Sequence, residues 1–249
     1  MNETLIDIRH LSKIYNVKKK EPLVALSDIN LSIHRGEVLA LLGVNGAGKT
    51  TLSSLIATLH PPTSGEIFFE GKSIYEDLYK YRFKIGFCPQ HPNLDSALTV
   101  KENLVFAGRY YLIPNKELNE RVEQLLVDLD LLRYADAKVE TLSGGYRQRV
   151  LIARAIIHNP DIVIFDEPTV GLDPHIRRQI WDVVLNLKKQ KKTIIFTTHY
   201  LDEAEVLSDR VCMLNKGKVL LIDESQNLKK KYDKSNLEEV FLHLMNLEE

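Results

Sequence analysis

The segment that most restricts the fold is Gly43-Val-Asn-Gly-Ala-Gly-Lys-Thr50, which lies between a short apolar run, Glu37 to Leu42, and a helix-forming stretch, Lys49 to Leu59. It fits G-x-x-x-x-G-K-[ST] in the setting that pattern requires, after a strand and before a helix. Glycines allow a backbone to wrap closely around phosphate oxygens, and the free N–H groups of a helix start favour negative charge. On this reading Gly43, Asn45, Gly46, Ala47, Gly48 and Thr51 line nucleotide phosphates. Lys49 reaches the β- and γ-phosphates, and the Thr50 hydroxyl coordinates Mg²⁺. The plain alternative is a glycine turn with a solvated lysine, and the complete pattern in context argues against it.

A second stretch narrows the chemistry. Ile162-Val-Ile-Phe-Asp166-Glu167-Pro168 reads as a buried strand ending in two carboxylates. In an α/β sheet the C-terminal strand edge is where ligands bind. There Asp166 can hold Mg²⁺, while Glu167 can polarise a water for attack on the γ-phosphate. Alone, such an ending would be a solvated acidic turn. Beside the phosphate loop, it completes a nucleotide-hydrolysing pair.

The rest of the chain arranges itself around these two strands. Thr4 to Ile8 and Leu23 to Ile33 alternate apolar and polar residues, as half-buried strands do, and Glu66 to Glu70 and Lys84 to Cys88 continue in the same style. From about Pro92 to His158 the period becomes helical. Thr99 and Glu102 have the spacing of a capping box, and Leu118, Val122, Leu125, Leu126 and Leu129 share one helix face. Strands at Asp161 to Phe165 and Thr193 to Thr197 alternate with helices at Pro174 to Lys189 and Leu201 to Leu207. A hairpin, Val211 to Leu214 with Lys218 to Ile222, and an amphipathic helix carrying Leu237, Val240, Phe241, Leu244 and Leu247 follow. The expected fold is α/β: a P-loop NTPase core with a mainly parallel sheet, an N-terminal antiparallel β subdomain and an inserted α-helical subdomain. The expected division is a core with its β subdomain at 1–89 and 160–224, a helical subdomain at 90–159, and a C-terminal helical extension at 225–249.

Bulk properties exclude some partners. A formal net charge of −1 over 249 residues offers no basic footprint for nucleic acid. The lysine-rich runs at 18–20, 188–192 and 229–231 are local and read as solvated faces. Cys88 and Cys212 sit in apolar stretches, as buried reduced thiols do. No secretory signal is visible at the start, and no apolar run approaches the ~20 residues of a membrane span, so a soluble polypeptide is expected.

Taken with Leu142-Ser-Gly-Gly145, these motifs resemble, in order and over about Leu5 to Asp223, the nucleotide-binding subunits of ATP-binding cassette (ABC) transporters. The resemblance implies ATP and Mg²⁺ as ligands and a head-to-tail pair of cassettes. In that pair Ser143, Gly144 and Gly145 would contact the ATP held by the other chain. Ser143 can also cap the next helix. Tyr146 stands where the commonest family form has glutamine. By the same resemblance Gln90 meets Mg²⁺ and the attacking water, Asp173 crosses the dimer interface, His199 contacts the γ-phosphate and Tyr15 stacks on adenine. Asp173 is equally a plausible helix N-cap, and Tyr15 equally a strand residue packing on its neighbours. Arg147 and Arg149 read as helix-surface charges.

The expectation is therefore an ATP-hydrolysing transporter subunit of the export type, of the multidrug, lipid and polysaccharide branch. It would work as a dimer of identical cassettes on the cytoplasmic face of the membrane through separate permease subunits. The competing class is a soluble ABC ATPase of iron–sulfur assembly or of ribosomes.

Overall fold

The computed structural model describes residues 3–16 and 21–246; Lys18, Lys19, Lys20 and Leu247 lie outside them. The chain begins with two long antiparallel strands, β1 (Thr4–Tyr15) and β2 (Leu23–His34). The short strand β3 (Val38–Leu42) then runs into the glycine loop and α1 (Lys49–Ile56). After β4 (Ser64–Phe69), β5 (Lys72–Ser73), α2 (Leu78–Phe83) and β6 (Ile85–Cys88) come three consecutive helices. These are α3 (Val100–Tyr110), α4 (Asn115–Asp128) and α5 (Gly144–Ile156). The chain continues through β7 (Ile162–Asp166), α6 (Pro174–Lys189), β8 (Thr193–Thr198), α7 (Leu201–Leu207), β9 (Arg210–Asn215) and β10 (Lys218–Asp223). It closes with α8 (Ser225–Tyr232) and α9 (Leu237–Asn246).

Two sheets result. A four-stranded antiparallel sheet has the order β2-β1-β4-β5, and a six-stranded sheet the order β10-β9-β3-β8-β7-β6. The six-stranded sheet is parallel from β6 to β9, and only β10 runs against its neighbour. Its strand β3 is apolar at every position, and β7 and β8 are apolar through their middles, because both faces are covered. Val38, Ala40 and Leu42 of β3 join one core with Val163 and Phe165 of β7, while Leu39, Leu41, Ile162 and Ile164 point into the other. The three consecutive helices cover the first face through Leu104, Leu118, Val122, Leu126 and Val150. The second face holds α1, through Leu52 and Leu55, together with the antiparallel sheet. β3 thus lies in the middle of the sheet, and its glycine loop emerges at the carboxyl edge beside the ends of β7 and β8.

Local signals settle most boundaries. Thr99 Oγ1 accepts the Glu102 N–H at 3.1 Å and Glu102 accepts the Thr99 N–H at 2.7 Å, completing the capping box of α3. The β9–β10 turn places Lys216 at φ 45° and Gly217 at φ 75°, as a type I′ hairpin requires. α1 stops at Ile56, three residues before the expected Leu59, because Thr58 adopts a left-handed φ of 59°. The short elements β5 and α2 and the polar helix α8 have too little apolar periodicity to stand out in sequence.

Three surface readings change. Arg149 is buried, its Nη1 donating to Leu129 O at 2.9 Å and Asp130 Oδ2 at 3.1 Å, its Nη2 to Gln179 Oε1 at 2.5 Å. It is an internal tie at the C-terminal end of α4, whereas Arg147 is exposed as expected. Lys188 pairs with Asp209 at 2.5 Å, and the half-buried Lys192 donates to Asn159 Oδ1 at 2.6 Å. Lys229 pairs with Glu205. Both cysteines are free and fully buried, and burial pushes each thiol up to about 12.

Candidate functional site

The glycine loop has the backbone its sequence requires. Gly48, at φ 105°, is the N-cap of α1, and a Cβ there would lie 2.7 Å from Leu26 Cδ2 and 2.9 Å from Ala25 O. A Cβ at Gly43 would come within 2.4 Å of Leu214 O. No side chain caps α1, so its first N–H groups face the loop without an internal acceptor. Asn45 and Gly46 are exposed, Ala47 is buried, and Thr51 is half-buried in the first turn. Lys49 folds back over the loop, its Nζ donating to Gly43 O at 2.8 Å and Val44 O at 3.2 Å.

The strand ends bring the other groups to this point. Asp166 Oδ1 accepts hydrogen bonds from Thr50 Oγ1 at 3.1 Å and Thr197 Oγ1 at 2.7 Å. Thr197 Oγ1 in turn accepts the Glu167 N–H at 2.8 Å. Glu167 has a left-handed φ of 47°, a conformation that costs a non-glycine residue ~1–2 kcal/mol and turns its side chain away from the strand line. Its carboxylate gathers three partners: Gln90 Nε2 donates to Oε2 at 3.0 Å, Lys49 Nζ lies 3.5 Å from Oε1, and His199 Nδ1 lies 3.6 Å from Oε1. His199 Nδ1 is itself buried without a hydrogen-bond partner. Burial raises the Asp166 pKa, with the Glu167 charge adding to the rise and the Thr197 and Thr50 hydroxyls and Lys49 opposing it.

Lys49, Thr50, Gln90, Asp166, Glu167 and His199 are thus one connected cluster. Thr197 was not legible as a member; its signal is its place two residues before His199 on the strand beside β7. The remaining expected residues stand apart from this network. Tyr15 ends β1 half-buried, with the Lys13 ammonium 5.1 Å from its ring centroid. Ser143 and Asp173 occupy the N-cap positions of α5 and α6 with extended backbones, but neither side chain makes a capping hydrogen bond. Both residues stand at the N-cap positions expected of them but without the side-chain hydrogen bond, so both helix starts remain open. Gly144 is exposed, while Gly145 is required by packing, since a Cβ there would lie 2.7 Å from Ile176 Cγ2 of α6. Tyr146 is held by Arg133, by the Arg149 guanidinium 5.1 Å from its ring, and by Tyr134 at 4.5 Å.

The donor chemistry suits a magnesium nucleotide. Thr50 and Asp166 present hard oxygens 3.1 Å apart beside the uncapped helix start. Among the described residues no group of three or more His, Cys, Asp or Glu forms a metal cage. Mg²⁺ characteristically takes one or two protein oxygens and completes its shell with phosphate and water.

Comparison with known proteins places the chain. The family profile described as ABC transporter matches residues 26–170. The chain belongs to the ABC transporter family. This cassette is 40% identical to the human phospholipid-transporting ATPase ABCA3 over 227 residues, which is 91% of the chain and 13% of that protein. It is also 40% identical to Nod factor export ATP-binding protein I of Rhizobium meliloti (strain 1021) over 212 residues, 85% of the chain and 62% of that protein. The cassette therefore spans only part of the length of these relatives. Among solved structures, an ATP-binding subunit of an ABC transporter superposes with a TM-score of 0.86 at 29% identity, over 97% of this chain and all of that one. The dimeric post-hydrolysis cassette MJ0796 bound to ADP and Pi superposes at 0.81 and 32% identity, covering 88% of this chain and 98% of that one. The P-loop NTPase fold expected from sequence is the one these cassettes share.

Proposed function

We propose that the cassette binds and hydrolyses ATP as the energy-coupling subunit of an export-type ABC transporter, closing on a second cassette around nucleotide. The observation that carries this reading is the single cluster in which Lys49, Thr50 and Asp166 meet Gln90, Glu167 and His199. The phosphates lie along the Gly43 to Thr51 backbone at the α1 N-terminus, and Lys49 takes the β- and γ-phosphates. Thr50, Asp166 and Gln90 hold Mg²⁺, which when bound neutralises charge developing on the phosphates. Glu167 is the general base. It accepts a proton from the attacking water as that oxygen bonds to the γ-phosphorus and the bond to the β–γ bridging oxygen breaks, leaving ADP and phosphate. His199 faces the γ-phosphate, and Tyr15 stacks on adenine.

The second half of the site comes from a second copy of the chain, through Ser143, Gly144 and Gly145 at the open start of α5 and through Asp173. That both helix starts lack side-chain caps supports this, because an uncapped N-terminus accepts an anion. Residues 90–159 form the helical subdomain that Gln90 links to nucleotide state, and α8 and α9 an extension. A groove of about 790 Å³ between α2 and α3 is rimmed by Tyr79, Phe106 and Tyr110, with Phe106 68% and Tyr110 75% exposed. Such an apolar surface on a water-facing helix suits a partner. Its occupant is the membrane subunit, which holds the cassette at the cytoplasmic face; among the described residues no helix is long and apolar enough to cross a membrane. The relatives named for phospholipid transport and Nod factor export favour transport over soluble roles.

The test is Glu167→Gln. It should retain ATP affinity, abolish steady turnover and accumulate an ATP-bound dimer by gel filtration. Wild-type turnover in this variant would refute the assignment.

A further inference from the structure

Outside the hydrolytic cluster, one acidic side chain is buried without an ion pair among the described residues. Glu203, on α7, is 1% exposed and forms no ion pair among the described residues. Its Oε1 accepts two hydrogen bonds, from Thr169 Oγ1 at 2.8 Å and from Trp181 Nε1 at 2.8 Å, while Oε2 has no hydrogen-bond partner. A carboxylate in such surroundings is costly to bury, and an apolar residue would fill the space at lower cost. Its two donors come from separate elements. Thr169 belongs to the loop between Glu167 and Asp173, and Trp181 to α6, whose N-cap is Asp173. Glu203 itself lies four residues beyond His199. A second seam joins the same pieces: Arg177 of α6 lies 4.2 Å from the Tyr200 ring centroid and pairs with Asp202 at 3.3 Å.

We infer that Glu203 is a positioning residue that locks the Glu167–Asp173 loop, α6 and the start of α7 into one unit, so that His199 and Asp173 shift together. The inference rests on the proposed function and adds a route to it. A change at the γ-phosphate side of one chain is carried, through two hydrogen bonds to one carboxylate oxygen, to the residue that meets the partner. Two donors from different elements that meet on one buried acceptor oxygen fix the relative orientation of those elements. The Arg177 seam joins α6 to the start of α7 but does not reach the loop, so the bond from Thr169 to Glu203 is the side-chain hydrogen bond recorded between that loop and α7.

The chain carries a built-in reporter, because Trp181 is its only tryptophan and its indole N–H is one of the two donors. The experiment uses the full chain and compares Thr169→Val, Thr169→Ser and wild type. It measures ATP affinity with a fluorescent nucleotide, steady-state kcat and KM, and tryptophan emission on adding ATP in the Glu167→Gln background. Thr169→Val should lower kcat by about tenfold with KM within about twofold, the pattern of a lost interaction outside ground-state binding. Thr169→Ser should restore it. ATP should shift the Trp181 emission in Glu167→Gln alone and leave it unmoved when Thr169→Val is added, with ATP affinity retained in both. Wild-type kcat together with an unchanged emission shift in Thr169→Val would overturn the inference. So would a loss of kcat that Thr169→Ser does not rescue. If wild type itself neither bound nor hydrolysed ATP, the proposed function would fail, a result distinct from either.

Discussion

Thr197→Val isolates the hydroxyl that ties the two acidic residues together. Valine is close to threonine in shape, so the buried strand β8 keeps its packing and only hydrogen bonding changes. Two bonds disappear: the hydroxyl donation to Asp166 Oδ1 at 2.7 Å and the acceptance of the Glu167 N–H at 2.8 Å. A bond to a charged group is worth about 1.5–3 kcal/mol, and an orphaned buried N–H costs about 1–3 kcal/mol. Asp166 retains Thr50 as a donor, so a total of about 2–4 kcal/mol is expected. At about 2–4 °C per kcal/mol for a chain of this size, Tm should fall by roughly 4–16 °C. The pH response follows from the same bond. Burial raises the Asp166 pKa and the Thr197 hydroxyl opposes that rise, so its loss moves the pKa further up. A carboxyl raised on folding stabilises the fold while protonated and loses that contribution as pH climbs through the folded value. The variant should shift this window upward, and the acid limb of ATPase activity, which on the proposed mechanism needs ionised Asp166, should move to higher pH with it. Thermal melts and ATPase rates from about pH 5 to 9 measure both. An unchanged Tm with an unchanged acid limb would refute the reasoning.

His158 stacks on Tyr111 at 3.6 Å and meets Ile85 O at 3.0 Å through Nε2, and burial depresses its pKa from 6.5 to about 4. A depressed histidine contributes stability above its unfolded value that is lost as pH falls toward its folded value, so Tm should decline across that interval and His158→Phe should flatten the decline. Arg149→Ala removes donors from Leu129 O, Asp130 and Gln179; the urea midpoint should drop by the equivalent of about 2–4 kcal/mol with little change in m.

How much was legible depended on whether function and packing left their marks in consecutive residues. The glycine loop, the Ile162 to Glu167 strand and the Thr99–Glu102 box are local signals, and the structure has each where its spacing required. Arg149 reads as a surface charge because nothing in its neighbours shows that the end of α4, 20 residues away in sequence, presents a bare carbonyl to it. Ser143 and Asp173 have capping residue types at helix starts, yet their side chains leave the N–H groups free, a choice decided by rotamer and not by residue type. The bridging of Asp166 and Glu167 by Thr197, and the buried Glu203 between Thr169 and Trp181, come from strands and helices brought together only by the sheet order. No window of sequence contains both partners.

The central claim is that Gly43 to Thr51 supplies half an ATP site and that Ser143 to Gly145 of a second chain supplies the other half. Mixing Lys49→Ala chains with Ser143→Arg chains tests it directly. Each variant alone should be inactive, whereas random pairing gives dimers half of which hold one intact composite site, so activity should recover to about a quarter of wild type if the two sites act independently. No recovery, with mixed dimers demonstrated by differential tagging, would contradict the shared site.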